Sequence, residues 1–204
     1  MLSFMKIFWI WGYSGSPVSD SVKNLQKLLK KYHINVYSDY YAQYDPKYAI
    51  SDIKKHIESY NIDLVIGSSL GGYIALQLDD VDKIIINPCL HPEVELEQLT
   101  ETQELEDPVT HEKHFEEIPC VPEHIVEYYK NYIKEHDIWE NFNKNNFSAA
   151  VFGKDDELLG TKYVDEVSKH IDTIVMSDQG HKNTYKSLKD SVVPLIKKYL
   201  ETHE

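Results

Sequence analysis

Short apolar runs alternate with longer amphipathic runs along most of this chain of 204 residues. This alternation is typical of βα units around a mainly parallel sheet, because strands covered by helices on both faces are continuously apolar. The apolar runs predict strands at Lys6–Ile10, Asn35–Ser38, Asp63–Ile66, Lys83–Ile86, Ser148–Phe152 and Asp172–Met176. The amphipathic runs predict helices at Ser19–Tyr32, Pro46–Tyr60, Gly72–Asp80, Thr161–His170 and Thr184–Leu200. The fold class that follows is α/β, with a mostly parallel open sheet flanked by helices on both faces.

Residues 89–147 break this alternation. The stretch is acidic and rich in proline, and Pro122 followed by Glu123–Glu135 predicts a helix with a proline near its start. An insertion at the strand ends of an open α/β sheet lies beside the binding crevice. We therefore expect a single domain, residues 1–204, in which residues 89–147 form a small cap-like excursion. A loose surface segment is the alternative interpretation.

Charge and cysteine content restrict the partners and the compartment. The formal net charge is −13 and the chain has no arginine, which argues against nucleic acid and anionic membranes as partners. Two cysteines are too few for a disulfide framework and suggest a reducing compartment. Because no apolar run reaches the length of a membrane span or of a usual signal core, we expect a cytoplasmic protein, as a monomer or homodimer.

The most specific motif is Gly-Ser-Ser-Leu-Gly at residues 67–71, a Gly-x-Ser-x-Gly sequence between an apolar strand and a helix. That context is what a nucleophile elbow requires, since the strand delivers Ser69 to a sharp turn and the flanking glycines avoid clashes. The helix that follows directs backbone N–H groups and its positive dipole end at an oxyanion. The sequence therefore predicts Ser69 as a nucleophile.

An acid and a base follow the ends of later strands. Asp155, Asp156 and Glu157 form an acidic loop after the fifth predicted strand, with Asp156 the preferred triad acid, Asp155 the reserve and Glu157 a distant third. His181 follows the last strand and Gly180, which we expect to allow an unusual backbone angle. The order serine, acid, histidine is the chain order of α/β-hydrolases. For the acidic loop, a solvated turn that caps the next helix is the alternative.

Two backbone amides should complete such a site as an oxyanion hole. One belongs to Leu70, the residue after the serine. The other is expected just past the first strand, where Gly12 lets the chain turn close to the site and the amide of Tyr13 points at the oxyanion. Trp11 and Gly12 are predicted to line the substrate pocket. An ordinary βα turn with glycine, serine and proline is the competing interpretation.

These motifs together resemble the small bacterial YqiA-like esterases of the α/β-hydrolase superfamily. Pieces of that family's pattern recur at residues 11–17, 67–72, 87–88, 153–159 and 180–181. Trp11 departs from the pattern, because the family has a histidine there, and it makes the expected pocket wall bulkier and more apolar. The resemblance implies hydrolysis of a small carboxylic ester through an acyl-enzyme on Ser69, with no metal or organic cofactor. It also favours Asp156 as the acid.

Other functions remain compatible with the sequence. His111 and His114, with Glu112, Glu116 and Glu117 nearby, could suggest a metal site, but no further ligand is fixed and we predict none. The lack of a phosphate-binding-loop pattern argues against nucleotide hydrolysis. A thioesterase, a small-peptide hydrolase, or a protein-interaction module with this fold and little turnover are the alternatives to an esterase.

Overall fold

A sheet of six parallel strands forms the centre of the computed structural model, which describes residues 4–106 and 113–203. In chain order the strands are β1 (Lys6–Ile10), β2 (Asn35–Tyr37), β3 (Leu64–Ser68), β4 (Asp82–Ile86), β5 (Thr100–Glu106), β6 (Lys113–Pro119), β7 (Ser148–Gly153) and β8 (Thr173–Ser177). The central sheet has the order β2-β1-β3-β4-β7-β8, while β5 and β6 form a separate antiparallel ribbon. The six strands predicted from apolar runs are confirmed, with ends that differ by at most two residues.

Helices cover both faces of the sheet. They are α1 (Asp20–Leu29), α2 (Pro46–Tyr60), α3 (Leu70–Leu76), α4 (Pro92–Glu95), α5 (Glu123–Glu135), α6 (Val164–Val167), α7 (Tyr185–Ser187) and α8 (Val193–His203). In the sheet, β2 lies on one side of β1 and β3 lies on the other. The connection from β1 to β2 and the connection from β2 to β3 therefore run in opposite directions across the sheet. Right-handed crossovers therefore place α1 and α2 on opposite faces, with α3 on the face of α2. The turn that links α7 to α8 packs against α1, so the C-terminal helices lie on the face of α1.

Local sequence explains why α2 begins and ends where predicted. Asp45 caps its N-terminus, since one carboxylate oxygen accepts from the amide of Lys47 at 2.9 Å. Pro46 takes the first helical position, where its missing N–H costs no hydrogen bond. Asn61 ends the helix with a left-handed backbone, φ 51°, a conformation that asparagine tolerates.

Two of the predicted helices are less regular than expected. Within Thr161–His170 only the four residues of α6 are α-helical, because the following residues close tighter turns with bonds to the third residue back, such as His170 N–H to the Val167 carbonyl. The predicted C-terminal helix is interrupted by a π-helical turn at Leu188–Val192. This wide turn comes just before Pro194, whose ring clashes with the carbonyl four residues earlier in a regular α-helix.

The excursion predicted at residues 89–147 contains α4, the β5–β6 ribbon and α5. The helix α5 has the predicted bounds, and it packs on the face of α2 and α3, with the Tyr129 ring 5.9 Å from that of Tyr73. The ribbon was missed because Thr100–Glu106 is polar on both faces and lacks the apolar alternation of a half-buried strand. Side-chain bonds add to its backbone ladder, such as that from the Thr100 hydroxyl to Glu117 at 2.8 Å. The prolines and acidic residues therefore do not prevent regular structure.

The core lies on both sides of the sheet, and a lysine side chain is buried in it. Strands β1, β3, β4 and β7 are almost wholly buried, and α1, α2 and α8 each bury an apolar stripe beside the sheet. Lys83, at the start of β4, is only 2 % exposed, and its ammonium donates to the carbonyl of Leu78 at 2.6 Å. Among the described helices, none has both the length and the apolar character needed to cross a membrane.

Lys83 should make the stability of this protein depend on pH. Burial lowers the pKa of Lys83 from 10.5 to about 8, against a smaller opposing effect of Asp79, Asp82 and Asp80. The unfolded chain therefore binds more protons than the fold between pH 8 and 10.5, so the cost of burying Lys83 is fully present below pH 8 and is relieved as pH rises. A shift of this size corresponds to about 3 kcal/mol.

Lys83→Met is accordingly expected to stabilise the protein at neutral pH. Allowing for the lost bond to Leu78, we expect the free energy of unfolding to rise by about 1–2 kcal/mol at pH 7. Most of this gain should vanish by pH 10. Urea unfolding of the wild type and of Lys83→Met at pH 7 and at pH 10 measures this gain. The contributions of other titrating groups cancel when the two proteins are compared at the same pH. A Lys83→Met protein that is equally destabilised at pH 7 and pH 10 would contradict the assignment.

Candidate active site

Ser69 lies at the junction of β3 and α3 with a strained backbone, φ 55° and ψ −121°. A non-glycine residue rarely adopts such a conformation, which costs about 1–3 kcal/mol and persists only where the surroundings impose it. Here they are tight, because a Cβ on Gly67 would lie 2.2 Å from the carbonyl oxygen of Gly71, and one on Gly71 would lie 2.1 Å from that of Ile10. The two glycines thus permit the sharp turn expected of the motif.

His181 and Asp156 form a hydrogen-bonded pair in the loops that follow β8 and β7. The Nδ1 atom of His181 lies 3.0 and 3.1 Å from the two carboxylate oxygens of Asp156. The side chain of Asp156 is fully buried, and that of His181 is 16 % exposed. Because the carboxylate occupies Nδ1, the ring presents Nε2 for other contacts. This arrangement fixes the tautomer and the orientation of the imidazole.

Local hydrogen bonds keep Asp156 ionised despite its burial. One of its oxygens accepts from the amides of Leu158 and Leu159, both at 2.9 Å. Burial alone raises the pKa of Asp156, but the hydrogen bonds from His181 and from these amides outweigh it and hold the pKa below its ordinary value. The imidazole therefore faces a buried anion at neutral pH.

The other two acids of the loop have different positions. Asp155 is exposed, and only its backbone amide is engaged, with the carbonyl of Gln179 at 3.1 Å. Glu157 is also exposed, but its carboxylate accepts from the backbone amide of His181 at 3.1 Å. The expectation that Gly180 adopts an unusual backbone angle is wrong, because its φ is not positive. The lack of a side chain matters there for another reason, since a Cβ on Gly180 would lie 2.9 Å from the Glu157 carboxylate. The alternative of a purely solvated acidic turn does not describe this loop.

Two backbone amides lie near the serine. Leu70 is the first residue of α3, so its amide has no partner within the helix. The loop after β1 touches the serine, since a Cβ on Gly12 would lie 3.0 Å from the Cβ of Ser69 and 3.4 Å from its Oγ. Within residues 4–106 and 113–203, the amides of Tyr13 and Leu70 donate to no protein acceptor. Both remain able to bind an oxygen atom from a substrate.

Trp11 differs from its prediction as a pocket wall. Its side chain is only 5 % exposed, and its ring centroid lies 4.4 Å from that of Tyr41. The indole N–H donates to the carbonyl of Asp39 at 3.2 Å. These partners draw the ring toward the segment after β2, and Trp11 does not line the cleft, whereas Gly12 does.

Ser69 and His181 line one cleft of about 1140 Å³ at the carboxyl ends of the strands. One set of lining residues, the polar wall, comes from the loop after β1, the start of α1 and the segment after His181. The polar wall comprises Ser14, Ser21, Asn24, Lys182, Asn183 and Thr184. A second set, the apolar wall, comes from the excursion and the acidic loop, which also bring Glu95, Gln98, Glu101 and Glu157 to the cleft. The apolar wall comprises Cys89, Leu96, Leu99, Cys120, Leu158 and Leu159.

Two supporting side chains were missed by sequence reasoning. Asn87 is buried at the end of β4 and has φ 43°. It accepts from the amide of Gly153 at 2.7 Å and donates to the carbonyl of Gly180 at 3.3 Å, so it joins the loops of the acid and the base. Asn183 donates to the hydroxyl of Ser68 at 2.7 Å and so joins the base loop to the elbow. The Asn-Pro pair after β4 was the only sequence signal for Asn87.

Asn87 is therefore expected to position the Asp156–His181 pair. Asn87→Gly keeps the backbone conformation but removes both bonds, and for any hydrolytic reaction at this site we expect kcat to fall by about 10²-fold with little change in KM. The variant Asn87→Asp retains only the acceptor for Gly153 and serves as the comparison. Unfolding by urea verifies that each variant is folded. A folded Asn87→Gly protein with wild-type kcat would show that the two bonds are dispensable.

The candidate metal-binding residues lie partly in β6 and partly outside the described residues. His111 and Glu112 lie outside the described residues, and no side-chain geometry is described for His114. In the part of the chain that the structure describes, no group of three or more histidine, cysteine or acidic side chains is arranged to hold a metal ion.

Comparison with known proteins agrees with this architecture. The model of an uncharacterised protein family, UPF0227, matches residues 6–198. Est1E from Butyrivibrio proteoclasticus superimposes with a TM-score of 0.70 at 14 % identity, over 97 % of this chain and 89 % of that one. Alpha/beta hydrolase domain-containing protein 10 from mouse superimposes with a TM-score of 0.67 at 14 % identity, over 95 % of this chain and 90 % of that one. A monoacylglycerol lipase from Paleococcus ferrophilus superimposes with a TM-score of 0.61 at 14 % identity, over 98 % of this chain and 95 % of that one. No curated protein matches the sequence. The chain has the α/β-hydrolase fold and belongs to the UPF0227 family.

Proposed function

We propose that this protein is a serine hydrolase that cleaves small carboxylic esters through an acyl-enzyme. The observation that carries the proposal is that one cleft is lined both by the strained Ser69 and by His181, whose imidazole is hydrogen-bonded to Asp156. Solved structures with this fold include proteins described as esterases and lipases, which supports hydrolysis as the reaction class.

In the first half of the reaction, Ser69 Oγ attacks the ester carbonyl while Nε2 of His181 takes its proton. Asp156 holds the imidazolium in place and compensates its charge. The amides of Tyr13 and Leu70 bind the oxyanion of the tetrahedral intermediate. When the intermediate collapses, the bond to the alcohol oxygen breaks and His181 returns the proton to the leaving alcohol, leaving an ester on Ser69.

In the second half, water replaces the alcohol. His181 takes a proton from the water as it attacks the acyl-enzyme, and the same two amides bind the second oxyanion. Collapse releases the carboxylic acid and restores the Ser69 hydroxyl. In this proposal residues 89–147 act as a cap, because they supply Leu96, Leu99 and Cys120 to the cleft.

Hydrolysis of 4-nitrophenyl butyrate by the wild type and by His181→Ala tests the proposal. The wild type should turn over the ester, and His181→Ala should lower kcat by about 10⁴-fold because Ser69 loses its base. His124→Ala, in an exposed histidine of α5 outside the cleft, is the matched control and should keep wild-type kcat. Equal turnover by all three proteins, or none by the wild type over a range of acyl lengths, would refute the proposal.

A further inference from the structure

A substrate of the proposed ester hydrolysis must place its leaving alcohol within reach of His181. The imidazole must reach the oxygen of this alcohol in order to protonate it. The chain continues from His181 directly into Lys182, Asn183 and Thr184, which belong to the polar wall. The polar wall therefore follows, in the chain, the residue that must protonate the alcohol.

The polar wall offers hydrogen-bonding groups that the protein leaves unused. Asn24 is half-buried, and its side-chain amide has no partner in the described parts of the chain. The Oδ1 atom of Asn183 is buried and likewise has no partner among those residues, although its Nδ2 is bound to Ser68. A buried acceptor without a partner costs free energy unless a ligand or water satisfies it. Ser14 adds a hydroxyl group to the same wall, whereas the Thr184 hydroxyl is bound to Ser187.

Leucine side chains dominate the apolar wall, although Gln98, Glu101 and Glu157 reach the cleft from the same segments. Leu96 and Leu159 are buried, and Leu99 and Leu158 extend the same surface. Leucine side chains bind an aliphatic or aromatic acyl group by removing its surface from water, at about 25 cal/mol for each Å². The two walls therefore differ in the share of apolar surface that they offer.

The charges in the cleft are mostly negative. Asp20, Glu101 and Glu157 line it and have no cation within 4 Å in the described structure, whereas Glu95 pairs with Lys162. Lys182 is the single lysine among the described lining residues. A cleft with this excess of carboxylates repels phosphate and carboxylate groups and lowers their local concentration.

From these observations we infer that the preferred substrates are uncharged esters that join an apolar acyl group to a hydroxyl-rich alcohol of the glycerol or sugar type. The inference rests on the proposed ester hydrolysis and specifies its substrate class. Anionic esters and thioesters, including those with a phosphate on the leaving group, are predicted to be poor substrates.

A set of esters that share the butyrate acyl group and differ in the alcohol tests the inference. The release of acid is followed at constant pH. We expect kcat/KM for glycerol monobutyrate to exceed that for ethyl butyrate by about 10-fold, since one or two added hydrogen bonds are worth that factor. Glycerol 3-phosphate butyrate should fall below glycerol monobutyrate by about 10-fold or more because of charge repulsion. Butyrylcholine tests whether the cleft instead selects a cationic alcohol.

Substitutions in the polar wall and among the acidic lining residues test the inference in a second way. Asn24→Leu should abolish the preference for glycerol monobutyrate over ethyl butyrate. Glu101→Lys should raise kcat/KM for the phosphorylated ester by several-fold. Glu58→Lys makes the same change in net charge on an exposed site of α2 outside the cleft and should have no effect.

The outcomes separate the two proposals. If no ester is hydrolysed, the proposed function fails. If esters are hydrolysed but ethyl butyrate, butyrylcholine or the phosphorylated ester is preferred, the substrate class is wrong and the proposed function stands. Glycerol monobutyrate as the best substrate, with that preference lost in Asn24→Leu, supports the inference.

Discussion

Replacing Ser69 with alanine is expected to lower kcat for ester hydrolysis by about 10⁴-fold or more, because no other group replaces the attacking oxygen. The loss should appear in kcat with KM little changed, since the walls of the cleft stay intact. Alanine also has a Cβ, so the variant retains the strained backbone at φ 55° without a new clash. Burst and steady-state kinetics with 4-nitrophenyl butyrate measure the change.

The adjacent serine provides the control for this prediction. Ser68 also lines the cleft, but its hydroxyl accepts a hydrogen bond from Asn183 and its backbone belongs to β3. Ser68→Ala is expected to reduce kcat by no more than about 10-fold, the cost of one lost hydrogen bond that supports the base loop. A larger loss in Ser68→Ala than in Ser69→Ala would exchange the roles of the two serines.

Replacing Asp156 with asparagine is expected to lower kcat by about 10⁴-fold, although the two side chains have the same size. The amide presents an N–H group that favours the opposite tautomer of His181, so Nε2 can no longer accept the Ser69 proton. The amide is also a weaker acceptor for the N–H groups of Leu158 and Leu159. Steady-state kinetics near pH 7 measure the loss, and urea unfolding separates it from any change in stability.

Asp155→Asn makes the same chemical change one residue earlier. Asp155 is exposed and its carboxylate makes no hydrogen bond to a described residue, so kcat should stay within about twofold of the wild type. If Asp155→Asn loses activity while Asp156→Asn keeps it, the acidic loop must rearrange during turnover and the acid is Asp155.

The fold was largely predictable because buried parallel strands leave a strong signal. Continuous runs such as Ile84, Ile85 and Ile86 at β4 allow few other interpretations, and the α/β-hydrolase fold follows from their order. The β5–β6 ribbon was not predictable, because its strands are mostly exposed and lack a regular alternation of apolar and polar residues. Backbone pairing and bonds such as that from Thr100 to Glu117 hold it together, and these are invisible to a hydropathy pattern.

The candidate site was predictable where it depends on backbone constraints and chain order. Gly67 and Gly71 signal the turn at Ser69, and their close approaches in the fold show why larger residues do not fit. The orientation of Trp11 was not predictable, because it depends on an aromatic partner and a carbonyl from a different βα unit. The role of Asn87 was missed for a similar reason, since its two partners are 66 and 93 residues away in the chain.

The most direct test of the proposed chemistry is to identify the residue that reacts with a fluorophosphonate. Such a reagent is attacked by an activated serine and stays bound, so mass spectrometry of the digested protein locates the adduct. We predict one adduct, on Ser69, formed at a rate that falls sharply in His181→Ala and absent from Ser69→Ala. Equal labelling of the wild type and Ser69→Ala, or an adduct on Ser68 or any other residue, would contradict the assignment of Ser69 as the nucleophile.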